Sequence, residues 1–436
     1  MNSRSRLLLA SLVLTAAAVL PPAPADACAV FVEPGENPPV LGHNMILSLG
    51  KSQTTLWDQF TYAGDPASFG WILPTKGTVT VGLSSDALFG ALAAATSPDI
   101  YAPDLGCPNS CDSAGNGGGG GGFGNGGVTI LARDTVGPFD TVQLSADDPA
   151  ALKTWLEQNN YPVPADVQPI LDAYVSEGFN FLAVKLLSGQ GADAVQPLRV
   201  TFDGAMPSFP MRLLNAGTTA KTDVTLFIVS DGYYEPVNAP TVTIDDSELT
   251  WDYAADSSDY EAVRAAKLAG TGGLGYLVEY AGSVWGYDID SPLDELVASD
   301  PDQGGYGGDP MKDADTLLQE DLAALHGDLG DNLRVTRLVG SLSKEAFAQD
   351  LALQASASQK ATGAEFTPAK TVNVPECPPD PCAGDGGGEE GGGCAVEPAT
   401  SGPEGHLPVV AALGLLGLAG VRAVRRRKSD AKRIRG

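Results

Sequence analysis

DPAALKTWLEQNNYPVPADVQPILDAYVSEGFNFLAVKLL, from Asp148 to Leu187, is the stretch that decides the fold. Asp148 offers a side-chain acceptor to the free amides of a helix start, and Pro149 suits the first helical position, where no backbone donor is needed. Leu152, Trp155 and Leu156 share one stripe, the mark of a helix with one buried face. Ala165 to Glu177 reads as a second helix, closed by Gly178. Strands follow at Phe179 to Leu187, Leu198 to Asp203, Met211 to Leu214 and Val224 to Ser230. Helices followed by a run of strands give an α+β class, with antiparallel sheets decorated by helices.

Upstream, Thr55 to Tyr62 places Leu56, Asp58, Phe60 and Tyr62 on one face and Trp57, Gln59 and Thr61 on the other, the period of a half-buried strand. Phe69 to Leu73 and Thr78 to Val81 follow at hairpin spacing. Ser85 caps a helix carrying Leu88, Phe89 and Leu92, which ends before Pro98. Residues 115–127 are almost pure glycine and read as a flexible loop before a strand at Val128 to Arg133. Downstream come a helix at Tyr260 to Ala269, a strand at Leu274 to Tyr280 and a helix at Ala314 to His326 closed by Gly327. A strand at Leu333 to Val339 and a helix at Lys344 to Leu353 complete the domain, expected over residues 28–366, and no period suggests an internal repeat.

The ends carry addressing signals. Arg4 and Arg6 precede the apolar run Leu7 to Leu20, and Ala25 and Ala27 supply the small residues that a signal peptidase inspects. Residues 1–27 are therefore read as a secretory signal peptide, cleaved between Ala27 and Cys28. Residues 367–405 are Pro-rich, then Gly-rich and acidic, the composition of a disordered stalk. In the tail, 406–436, the apolar run Leu407 to Val421 spans fifteen residues. That is about 22 Å of helix against a hydrocarbon core of about 30 Å, with Arg422 placed to snorkel. Arg425, Arg426, Arg427 and Lys428 then resist crossing a bilayer. Cys394, the apolar helix and the Arg cluster together resemble the myxobacterial carboxy-terminal sorting tail. That resemblance implies processing and lipid attachment at Cys394 by a processing protease, and retention at the cell surface or outer envelope. A plain single-pass membrane helix with a cytoplasmic C-terminus is the competing reading of the same run.

With 26 Lys and Arg against 54 Asp and Glu, the net charge is −28, which repels nucleic acid and leaves protein or cationic partners open. Export places the six cysteines in an oxidising compartment. Cys107 with Cys111, and Cys377 with Cys382, flank tight turns and read as local disulfides, each worth about 2 kcal/mol by loop entropy. Neither pair has the two-residue spacing of a zinc knuckle.

Six segments carry a wider resemblance: Phe69-Gly-Trp-Ile-Leu-Pro, Trp155-Leu-x-x-Asn-x-Tyr, Gly178-Phe-Asn-Phe-Leu-Ala-Val-Lys-Leu, Gln196-Pro-Leu-Arg, Pro210-Met-Arg-Leu and Val335-Thr-Arg-Leu. In that order, from Cys28 to Leu353, the chain resembles the exported bacterial domain-of-unknown-function family 2330. The resemblance implies export, and the family it points to has no established activity.

Chemistry is sparse. Of three histidines, His406 lies in the stalk, His43 in a Gly-His-Asn sequence read as a turn, and His326 in the last turn of a helix, where a partial positive charge suits the C-terminus. Gly50-Lys51-Ser52 imitates the end of a phosphate loop, but Met45 stands where the first glycine belongs. Ser341-Leu-Ser-Lys344 has acyl-serine spacing without its companion motifs. The five tryptophans read as core anchors. Asp288 to Asp315 is an acidic, Gly-interrupted stretch read as a solvated loop, with calcium as the one cation it invites. No catalytic residue, cofactor site or metal site is assigned. The expectation is a non-enzymatic envelope or surface-binding protein held to a membrane by its tail, against the alternative of a polymer hydrolase using a carboxylate pair.

Overall fold

The computed structural model describes residues 30–31, 40–62, 70–105, 134–161, 163, 165, 167–187, 195–217, 221–299, 305–306, 309 and 311–376. The expected signal peptide with Ala27 and Cys28, the Gly-rich loop, Cys107, Cys111, Cys377, Cys382, Cys394, and the tail with Arg422 and Arg425 to Lys428 lie outside the described residues. Among the described residues no helix is long and apolar enough to cross a membrane.

The class is α+β. An eight-stranded sheet runs in the order Thr241–Val242, Tyr276–Trp285, Asn332–Leu342, Thr222–Ser230, Val40–Leu49, Gln53–Tyr62, Leu198–Asp203, Val79–Leu83. Its neighbours are antiparallel except at two places, where Thr222–Ser230 runs parallel to Val40–Leu49 and Thr241–Val242 parallel to Tyr276–Trp285. A five-stranded antiparallel sheet runs Val30–Phe31, Gly70–Thr75, Asn180–Leu186, Phe139–Leu144, Asp134–Val136.

The deciding stretch folds as its local signals dictate. The Asp148 side chain accepts from the amide of Ala150 at 3.1 Å, opening the helix Pro149–Gln158, whose Leu152 and Leu156 are buried. The next helix spans Gln168–Ser176, shorter than expected because Pro169 sits in its first turn and fixes where it starts. Gly178 takes φ +74° and turns the chain into the strand Asn180–Leu186.

Several elements depart from expectation, each for a non-local reason. Gly70–Thr75 and Val79–Leu83 do not pair as a hairpin; the first joins the five-stranded sheet and the second edges the eight-stranded one. The Gln143 side chain bonds both the N–H and the C=O of Val79, tying that edge to the other sheet. Thr54 to Asp58 are all buried, so the central strand is covered on both faces rather than one. Met211 to Leu214 is not a strand: Arg212–Gly217 forms a 3-10 helix whose Leu213 and Leu214 still reach the core. Lys344 to Leu353 is not one helix but a 3-10 helix, Lys344–Ala348, followed by the strand Leu351–Ala355. Lys370–Val372, within the segment read as stalk, pairs in parallel with Thr250–Asp252.

The helix Ala314–His326 is fastened to the sheet by polar contacts. Ser48 Oγ donates to the carbonyl of Leu325 at 2.7 Å, and Trp57 Nε1 donates to Asp321 at 2.9 Å. Asp321 also accepts from Arg199 at 2.7 Å, from the Tyr306 hydroxyl at 3.0 Å and from the Ser84 hydroxyl. Burial pushes the Asp321 carboxyl up, opposed by Arg199 and by these donors. A carboxyl group this deep is tolerated because its hydrogen-bonding positions are filled.

Candidate functional site

A groove of about 470 Å³ opens where the end of the strand Gly70–Thr75 meets the connection leaving Leu198–Asp203. Its lining includes Pro74 and Lys76 from one side, Phe202, Asp203, Met206 and Pro210 from the other, with Phe179 and Asp350 beside them. Phe202 is buried at 1% exposure and closes the apolar base. Local chemistry fixes the connection: Gly204 takes φ +79°, its carbonyl accepts from Thr54 Oγ1 at 2.8 Å, and the same hydroxyl oxygen accepts from the Met206 amide at 2.8 Å. The Lys76 ammonium lies 4.1 Å from the centre of the Phe179 ring, a cation–π contact.

Under the groove lies an ionic foundation. Arg212 grips Glu177 through two bonds of 2.8 and 2.7 Å, and grips Asp350 Oδ2 through Nε at 3.0 Å and Nη2 at 2.8 Å. Its guanidinium carbon lies 3.8 Å from the Tyr174 ring centre, and its backbone amide donates to Asp350 Oδ1 at 3.1 Å. The Tyr174 hydroxyl donates to the same Oδ1. Burial, then the neighbouring Asp350, raises the Tyr174 pKa, so the phenol stays protonated and donates. Burial opposes the charge on Arg212, but its bonds to Glu177 and Asp350 prevail and raise its pKa. The same contact holds the Glu177 carboxyl below the usual range. Both oxygens of Asp350 are thus committed, which makes it a strut rather than a free base.

The residues singled out from sequence do not meet here. His43 is not in a turn: it sits inside the strand Val40–Leu49, where the register shifts between Val40 and Gly42, and its Nδ1 lies 3.3 Å from Asp58 with both side chains buried. His326 ends its helix as expected, with Gly327 beyond it, and Nε2 lies 3.0 Å from each oxygen of Asp290. Gly50-Lys51-Ser52 holds an anion, but an internal one. Asp328 accepts from the amides of Lys51 at 3.0 Å and Ser52 at 3.1 Å, and from the Ser52 hydroxyl at 3.1 Å. The donors a phosphate would need are filled by this carboxylate. Ser341 lies in the strand Asn332–Leu342 and Lys344 in the 3-10 helix after it.

The acidic stretch is not a loop throughout. Gly286–Ser299 is a helix, Asp290 holds His326, Asp294 accepts from Gln319 at 3.3 Å, and Asp313 caps the following helix through the Thr316 amide. No group of three metal-ligating side chains gathers among the described residues. Four of the tryptophans are buried or half-buried, whereas Trp285 is 51% exposed.

Sequence reasoning missed Lys76, Asp203, Arg212 and Asp350 as partners. The signal available was indirect: three of the six resemblance segments contribute Pro74, Phe179 and Pro210 to this groove, and the last also supplies Arg212.

Comparison with known proteins adds little chemistry. The family model DUF2330, described as an uncharacterized protein conserved in bacteria, matches residues 22–338. No curated protein matches the chain. A crystal structure of baculovirus P35 is similar at 9% identity and a TM-score of 0.23, over 43% of this chain and 63% of that one, less than two thirds of its length. A similarity that low carries no argument about fold or activity.

Proposed function

The chain belongs to the DUF2330 family of uncharacterized bacterial proteins, and from that premise we propose that it is an exported, envelope-tethered binding protein whose working surface is the groove beside Lys76. One observation carries this reading: segments far apart in sequence converge on a preformed concavity with an apolar base, aromatic and proline walls and few charges. Rigidity at such a site favours binding, because ordering costs are met during folding rather than on association. Export and tethering are supported by the apolar leader, the Cys394 tail and the basic cluster.

The hydrolase alternative has one observation behind it, since Asp203 and Asp350 line the same groove. A carboxylate-pair mechanism needs one group to move a proton and the other to act as base or nucleophile. Asp350 is occupied on both oxygens by Tyr174 and Arg212, which favours the binding reading.

The test of display uses intact cells. With Ala205→Cys, at an exposed lining position, a membrane-impermeant maleimide should label the protein from outside. Deleting Leu407 to Gly436 should move that labelled protein into the medium. Labelling only after lysis, or a truncated chain that still pellets with membranes, contradicts the proposal.

A further inference from the structure

The groove's charges point to its ligand, an inference that rests on the binding reading above. Lys76 and Asp203 have opposite charges and line one cavity, and among the described residues they form no ion pair with each other; Lys76 also acts on the Glu177 carboxylate and helps to lower its pKa. Lys76 is held by its stacking on Phe179, and Asp203 by its backbone ladder with Gln53. The remaining lining charge, Asp350, is already compensated by Arg212. Phe202, Met206 and prolines share the lining with these two charges, which favours a ligand with an apolar body.

We propose that the groove takes a short zwitterionic peptide with an apolar middle, its free α-carboxylate at Lys76 and its α-ammonium at Asp203. Both ends of such a peptide are charged near neutral pH, since an α-carboxyl titrates at about 3.5 and an α-amine at about 7.8. The net charge of −28 repels a simple anion, whereas a dipolar ligand with no net charge is not excluded by that field. A volume of about 470 Å³ falls in the range of small-ligand pockets, roughly 300 to 1,000 Å³.

The experiment is isothermal titration of the full chain with the tripeptide Ala-Phe-Ala, its N-acetyl form, its C-terminal amide and the doubly blocked form. The free peptide should bind, and each single block should weaken it about tenfold, the scale of one lost charge contact. Lys76→Met should abolish the difference between free and amidated peptide, and Asp203→Asn the difference between free and acetylated. Both side chains are exposed, so the variants should fold. Equal binding of the doubly blocked peptide overturns the charged-end assignment while leaving the groove as a binding site. No binding by any of the four overturns the peptide assignment, and the groove reading is then decided separately by the Met206 signal described below.

Discussion

Asp321 accepts the indole N–H of Trp57 at 2.9 Å, joining the helix Ala314–His326 to a central strand through a carboxylate with no exposed surface. The same carboxylate takes Arg199 at 2.7 Å, and Arg199 reaches on to Glu320 at 2.7 Å. Asp321→Ala would leave Arg199 buried without its deeper partner, and such breaks cost about 3–5 kcal/mol. Denaturant unfolding should show a loss of that order, with Glu320→Ala losing far less because Glu320 is partly exposed. Equal losses would place the weight of the network at the surface.

The His326–Asp290 pair sets a pH dependence. The bond to Asp290 raises the His326 pKa, against the opposing effect of burial. A pKa raised on folding contributes stability that is fully present below the unfolded value, about 6.5, and lost as pH rises through the folded value. Wild type minus Asp290→Asn, measured by urea unfolding from pH 5.5 to 9.5, should therefore shrink as pH rises. A difference that grows with pH contradicts the assignment.

Two glycines with the same backbone should respond differently to alanine. Gly330 and Gly363 both take φ +77°, but a Cβ at Gly363 would stand 2.1 Å from the Glu279 carbonyl, whereas nothing lies within 4 Å at Gly330. Gly330→Ala should cost only the left-handed penalty, about 1–2 kcal/mol. Gly363→Ala should cost more, because the Ala281–Thr362 bridge must open to admit the methyl group. Thermal unfolding of the two variants side by side decides it.

The foundation of the groove is open to the same kind of test. Tyr174→Phe removes a donor to Asp350 Oδ1 but leaves the Arg212 amide on that oxygen, so it should cost about 1 kcal/mol. Arg212→Ala strands Asp350 and Glu177 together and should cost several times more. Matching values in chemical denaturation would mean that Arg212 is not the keystone of the cluster.

What was legible in the sequence was local. Asp148 and Pro149 announce the start of one helix, Gly178 the end of the next, and Ser85 another start, because each acts on backbone a few residues away. Pairing was not legible, since Gly70–Thr75 and Val79–Leu83 are adjacent in the chain yet chosen by different sheets. Met211 to Leu214 has the apolar density of a strand, and only the bonds of Arg212 to Asp350, 138 residues on, show why a tight turn forms there. The groove was hidden for the same reason. Its members come from four separate stretches, and no single stretch has the spacing of a site.

The most direct measurement is of Met206, the methionine in the groove lining. In a full chain carrying carbon-13 methyl methionine, the Met206 signal should move saturably when the small-molecule fraction of the producing cells' envelope is added. Met311, 88% exposed and outside the lining, should stay in place. The signals of the added molecules should persist unchanged for hours, as binding without turnover requires. A still Met206 signal would contradict the groove as the working surface, and new product signals that vanish with Asp203→Asn would contradict the non-enzymatic reading.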